Sequence, residues 1–126
     1  MKTDADFFKI WGGISGVQST LEVMLTAIEA REVSVADLYQ KLSANPAKRF
    51  GLQHKGHLDL GFDADIALVQ MDSPWKLEKT DLHYRHAQSP YLGANLTARV
   101  KHTFLRGKTI WDGQQVHKLQ GKFLRP

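Results

Sequence analysis

Two features of this chain have residue types and spacings that could do chemistry. One is a glycine-rich run, Trp11-Gly12-Gly13-Ile14-Ser15-Gly16-Val17-Gln18; the other is a pair of histidine doublets, His54-x-x-His57 and His83-x-x-His86. The run stands before an amphipathic segment. Glycine has no Cβ, so backbone amides and carbonyls there can approach a small ligand, and the unpaired N–H groups of a helix start add donors at the same place. Stricter templates do not fit. Gly13-Ile14-Ser15-Gly16-Val17 fails the G-x-S-x-G nucleophile elbow at its last position, and Gly12-Gly13-Ile14-Ser15-Gly16 is not G-x-G-x-x-G. The plain alternative is a tight entry turn with Ser15 as N-cap. On a helix each histidine doublet could offer two imidazoles to one metal, but Gly56 interrupts the first and the second lies in an aperiodic stretch. On a strand such a pair points to opposite faces, so neither doublet is read as a metal site.

The elements that would position these residues change character along the chain. Val17, Leu21, Met24, Leu25 and Ile28 fall on one stripe of a helix over about 16–32, with Glu22 and Glu29 on its solvent face. Ser34 with Asp37 reads as a capping-box variant opening a second helix, whose apolar face is Val35, Leu38, Tyr39 and Leu42. Asn45-Pro46 reads as N-cap and first residue of a single-turn helix ending at Phe50-Gly51. Beyond Gly51, glycines punctuate short runs rich in Ile, Val, Phe and Leu, which is strand grammar. The spacing predicts a strand over 65–70, a hairpin from 99–105 into 107–113, and a weaker strand over 52–58. Residues 77–91 read as an extended surface connection. Trp11, Trp75, Trp111, Tyr84 and Tyr91 read as core and interface fillers, and His102 and His117 as packed or solvated. One soft boundary is placed near Gly51, dividing 1–50 from 51–126.

Composition narrows the class. A chain of 126 residues with 42% hydrophobic and 24% charged residues is an ordinary globular domain in size and balance. No stretch approaches the roughly 20 apolar residues of a membrane span, and the start is too acidic for a targeting peptide, so the expectation is a soluble, cytoplasmic protein. The absence of cysteine excludes disulfides, thiolate zinc sites and thiol nucleophiles within the chain. Its net charge of +4 arises mainly from Lys101, Arg106, Lys108, Lys118, Lys122 and Arg125, read as a solvated basic face because no nucleic-acid module accompanies them. No nucleic-acid or membrane partner is expected. A helical half followed by a strand half is an unusual layout for a self-contained domain of this size.

A series of motifs resembles a known family. In order they are Phe8-Lys9-Ile10 leading into the glycine run, Asn45-Pro46-Ala47 with Phe50-Gly51-Leu52, Lys55-Gly56 with Gly61-Phe62-Asp63-Ala64-Asp65, Ser89-Pro90-Tyr91-Leu92-Gly93, and Val100 with Arg106-Gly107-Lys108. Together they resemble the C-terminal part of the allantoinases, cyclic amidohydrolases of the metal-dependent amidohydrolase superfamily, alongside dihydroorotases and hydantoinases. The Asp-Ala-Asp and Arg-Gly-Lys elements are similar to the superfamily's common tail. The glycine run with Ser-Pro-Tyr-Leu-Gly is similar to allantoinases in particular.

What the resemblance implies is an α+β chain: the last helices of a (β/α)8 barrel over 1–50, then short antiparallel strands of a small composite β-sandwich over 51–126. It implies hydrolysis of the ring amide of allantoin to allantoate in purine breakdown, by a hydroxide held between two divalent metals, usually zinc. None of the family's histidine, carboxylated lysine or aspartate ligands has a counterpart here. Asp4 and Asp6 are read as loop residues and not as the family's aspartate, so no metal is expected to be bound by this chain alone and no residue is assigned as catalytic. The resemblance assigns backbone contact with the cyclic amide to Gly12, Gly13 and Ile14, with Ser15 as a cap or nearby hydroxyl. The isolated chain is expected to be inactive and to self-associate, or to contact the missing barrel, through its apolar helix stripe. The alternatives are a non-catalytic interaction module derived from such a tail, and part of a dihydroorotase or hydantoinase.

Overall fold

The computed structural model describes residues 6–10, 12–118 and 121–124, so Trp11, Asp4 and Arg125 lie outside the described residues. After a short 3-10 turn, Phe7–Lys9, the first full helix is α1, Thr20–Glu29. It starts four residues later than the periodicity predicts, with Ser19 and not Ser15 at the N-cap position. The cause is local: Gly16 O accepts from Ser19 N and from the Thr20 hydroxyl, closing a turn before the helix can begin. Val17 falls in that turn and is exposed, so the apolar stripe begins at Leu21.

The helical arm that follows is continuous where two helices were expected. α2, Val35–Tyr39, runs through a π-helical turn, Gln40–Ala44, into α3, Asn45–Arg49. Ser34 caps α2 as its type predicts, accepting from Asp37 N at 3.0 Å while its own hydroxyl donates to the Asp37 carboxylate. Asn45 is helical and is not a cap; its N–H reaches back five residues to Gln40 O. Pro46 explains the widened turn, since its ring would clash with the carbonyl four residues earlier and it has no N–H to give. The arm ends at Phe50 with Gly51 left-handed at φ 62°. There Gly51 N donates to Lys48 O and Leu52 N to Ala47 O, a Schellman ending.

Five strands follow among the described residues. β1, Ile66–Gln70, β4, Arg99–Leu105, and β5, Lys108–Trp111, form an antiparallel sheet ordered β1-β4-β5. β2, Trp75–Lys76, pairs with β3, Asn95–Leu96, as a separate two-stranded ribbon. The β4–β5 hairpin matches the sequence expectation, and its two-residue turn holds Arg106 and Gly107 both at positive φ, 50° and 75°. The stretch 52–58 is not a strand but a series of turns, with His54 and Gly56 both at positive φ. Nor is 77–91 wholly a surface connection, because Leu77 and Leu82 are buried.

The core has two clusters, and α1 lies between them. Leu25 and Ile28 join Leu38 and Ala98, with Leu21, Val69 and Met71 packed alongside. Leu77, Leu82 and Leu96 form the second cluster, flanked by Val23, Trp75, Tyr84 and Tyr91. Three polar residues of α1 also meet the segment 97–100, which overturns the solvent-face reading of Glu22; Glu29 is exposed, as that reading has it, and still reaches Thr97. Glu22 is buried and accepts from Val100 N at 2.9 Å, Thr26 Oγ1 accepts from Thr97 N at 3.0 Å, and Glu29 accepts from the Thr97 hydroxyl at 2.9 Å. Spacing of four and three places these three side chains in one row, which meets backbone N–H groups and a hydroxyl along 97–100. Desolvation raises the Glu22 pKa above the ordinary value of 4.5, an effect only partly offset by the Val100 N–H and by Arg99.

Candidate functional site

The glycine loop lies at the N-terminal approach to α1. Gly12, Gly13 and Ile14 are exposed and Ser15 is half-buried. Gly13 has φ 76°, which only glycine adopts without strain. A Cβ added to Gly12 or Gly13 would meet nothing within 4 Å among the described residues, so neither glycine is wedged against one of them. Gly16 is different: its Cβ would stand 3.4 Å from the Tyr91 ring. The structure therefore brings together the two motifs that carried the narrower resemblance, the glycine run and Ser-Pro-Tyr-Leu-Gly. Ser19, just beyond the loop, is fully buried, and its hydroxyl has no hydrogen-bond partner among the described residues.

Gln18 fastens this loop. Its Nε2 donates to Asp81 O at 2.7 Å, its Oε1 accepts from His83 N at 2.9 Å, and its backbone N–H donates to the Tyr84 hydroxyl at 2.9 Å. Sequence reasoning passed over Gln18, although it closes the quoted run. Nothing local announces a glutamine that pairs with backbone more than 60 residues away.

The remaining motifs converge on a second place and form a structural corner. Lys55 Nζ is 2.7 Å from the Asp63 carboxylate and also contacts that of Asp65. The other Asp65 oxygen accepts from Arg106 N at 2.7 Å, and Gly107 N donates to Ala64 O at 2.9 Å. Burial works against the Asp65 charge, but the Lys55 and Arg106 contacts outweigh it and hold the carboxyl below its ordinary value. Lys55 likewise is raised: desolvation opposes its charge and the two aspartates prevail. Gly56 belongs to the same corner, where a Cβ would lie 2.6 Å from Ala47 Cβ and 2.9 Å from Ser43 O. These residues hold turns together.

The histidines are engaged locally. His57 Nδ1 is 2.8 Å from the Tyr39 hydroxyl, which itself donates to Gly56 O at 2.6 Å, so the His57 nitrogen is the donor to Tyr39. His54 and His57 both pack edge-on against Phe62, His83 packs against Trp111, and His102 stacks on Phe104. His117 meets the Asp112 carboxylate at 2.7 Å. Among the described residues no three His, Cys, Asp or Glu side chains are grouped so as to hold a metal. The described residues therefore supply no ligand set for a metal, and no step of a metal-assisted reaction is assigned to them. A groove of about 640 Å³ lies elsewhere, between the helical arm and β1, lined by Leu38, Leu42, Leu52, Lys55, Val69 and Met71 among others. None of Gly12, Gly13, Ile14 or Ser15 lines it.

Residues 3–110 match the sequence profile of the Amidohydrolase family. The chain belongs to that family. Its whole length is 44% identical to the allantoinase of Rubrobacter xylanophilus and 43% identical to that of Solibacter usitatus, in each case over 28% of the relative. Among solved structures it is similar to the L-hydantoinase of Arthrobacter aurescens, with a TM-score of 0.82 at 29% identity, over 90% of this chain and 26% of that one. A D-hydantoinase matches with a TM-score of 0.79 at 30% identity, over 85% of this chain and 24% of the other. The chain thus spans 28% of the length of the curated amidohydrolase relatives it matches. No helix among the described residues is long and apolar enough to cross a membrane.

Proposed function

We propose that this chain is the C-terminal portion of an allantoinase-like cyclic amidohydrolase, which opens the hydantoin ring of allantoin to allantoate. The supporting observation is the identity of 43–44% with allantoinases along the entire chain. In this reading residues 1–50 are terminal helices of a (β/α)8 barrel, 51–126 are strands of a composite β-sandwich, and the setting is cytoplasmic purine breakdown. Gly12, Gly13 and Ile14 present backbone polar groups to the cyclic amide, with Ser15 as the adjacent hydroxyl. The exposure of the loop, and a Cβ on either glycine meeting nothing within 4 Å among the described residues, support that role. The two divalent metals, zinc by family resemblance, belong to parts of the fold this chain does not supply. Contact with those parts, or self-association, covers its exposed apolar surface.

The structural neighbours favour one second reading, a hydantoinase ring in place of allantoin. The deciding experiment is turnover of allantoin, hydantoin, dihydrouracil and dihydroorotate by this segment completed with the remainder of an allantoinase and zinc. The proposal expects the highest kcat/KM on allantoin. A preference for dihydrouracil or simple hydantoins would establish the second reading in its place.

A further inference from the structure

We propose that Gln18 is the positioning residue of the substrate loop, acting through the segment 81–84; this rests on the reading of 12–15 as the part that touches the ring. The side-chain amide behaves as a substitute rung of a β-ladder. Its donor and its acceptor go to two backbone groups of one neighbouring segment, Asp81 O at 2.7 Å and His83 N at 2.9 Å. The backbone N–H of the same residue is held by the Tyr84 hydroxyl at 2.9 Å. The loop is thereby fixed at its C-terminal end by three hydrogen bonds to one segment. That segment is anchored in turn: Leu82 is buried in the second core cluster, Tyr84 packs on the same cluster, and the Asp81 carboxylate accepts from Glu78 N at 2.8 Å. Tyr91 closes the other side, with its ring against Gly16.

The chemistry selects glutamine. Asparagine is one methylene too short to span both partners, leucine offers neither, and glutamate accepts from His83 N–H but cannot donate to the Asp81 carbonyl. A loop of glycines has little rotameric or steric restraint of its own, so its position depends on how its ends are tied. Gln18 is a tie of this kind, with both side-chain amide groups bonded to a segment more than 60 residues away.

The test is residue-resolved amide exchange on the full chain. Gln18→Ala and, separately, Tyr84→Phe lower protection of the Gln18, Ser19 and Thr20 amides that close the loop about tenfold while Leu25 and Ile28 in α1 keep theirs. Gln18→Glu loses the same protection at pH 7 and regains it near about pH 4, where a protonated carboxyl again donates to Asp81 O. In the enzyme completed with the rest of an allantoinase chain, Gln18→Ala raises KM for allantoin about tenfold and leaves kcat within about twofold. Unchanged loop protection in both Gln18→Ala and Tyr84→Phe, or a parallel loss throughout α1, overturns the proposal. Loop protection lost with KM unchanged leaves the positioning role standing and removes the substrate contact.

Discussion

The loop at 12–16 and the corner at 54–65 are both glycine-punctuated motif regions, and their glycines do opposite work. At the corner, Gly56 sits where a Cβ would overlap Ala47 Cβ at 2.6 Å, and Lys55, Asp63, Asp65 and Arg106 are tied to one another around it. At the loop, a Cβ on Gly12 or Gly13 would meet nothing within 4 Å among the described residues, and Gln18 ties one end to the segment 81–84. A motif can therefore persist because its residues fill each other's space or because they leave space for something else. The geometry of each glycine separates the two cases, which the letters alone do not.

The contrast can be broken from either side, and the largest effect is expected at the corner. Gly56→Ala, which combines a clash with backbone and side chain at φ 82°, destabilises the chain by about 3 kcal/mol in urea unfolding. A loss under about 1 kcal/mol would mean that the corner yields and that Gly56 is not wedged. Next comes Asp65→Ala, which removes the acceptor for Arg106 N and one partner of Lys55; it costs about 1–2 kcal/mol by the same measurement. In the unsubstituted chain the Asp65 contribution is present above 3.8 and fades as pH falls through its lowered folded value. Its loss on acidification should vanish in the alanine variant.

Glu22→Gln has a smaller effect of opposite sign. The Glu22 pKa is raised from 4.5 by burial, so the folded chain holds more protons than the unfolded one in the window just above that value. Stability then falls as pH rises through the window, and the glutamine variant, which keeps an acceptor for Val100 N–H, lacks that decline. Melting temperatures measured from pH 4 to 7 check this: a variant that loses stability relative to the parent as pH rises would contradict it. The smallest effect is expected at the loop, where Gly12→Ala changes stability by no more than about 0.5 kcal/mol. The same substitution in the completed enzyme lowers kcat/KM for allantoin.

How much of this was legible in the sequence depended on whether the determinant was local. The Ser34–Asp37 cap, the Gly51 ending and the Arg106-Gly107 hairpin were readable because each is decided within a few residues. The start of α1 was misplaced because the Gly16–Thr20 turn preserves the helical spacing of Val17 while exposing it. The row Glu22, Thr26 and Glu29 looks like a solvent face by residue type, and only the arrival of 97–100 gives it partners. β2 and β3 are two residues each, too short for any period to register. The glycine run was found as a candidate site, whereas Gln18, Tyr84 and Tyr91 around it depend on contacts more than 60 residues apart.

The central claim is that this chain retains an edge of a cyclic amidohydrolase site without its catalytic ligands. It is tested most directly by assaying allantoin hydrolysis with zinc, first by the chain alone and then after addition of the remaining part of an allantoinase. The account predicts no turnover above the zinc-buffer background in the first assay and activity sensitive to Gly12 and Gly13 in the second. Allantoate formation by the chain alone, abolished by a chelator, would contradict it.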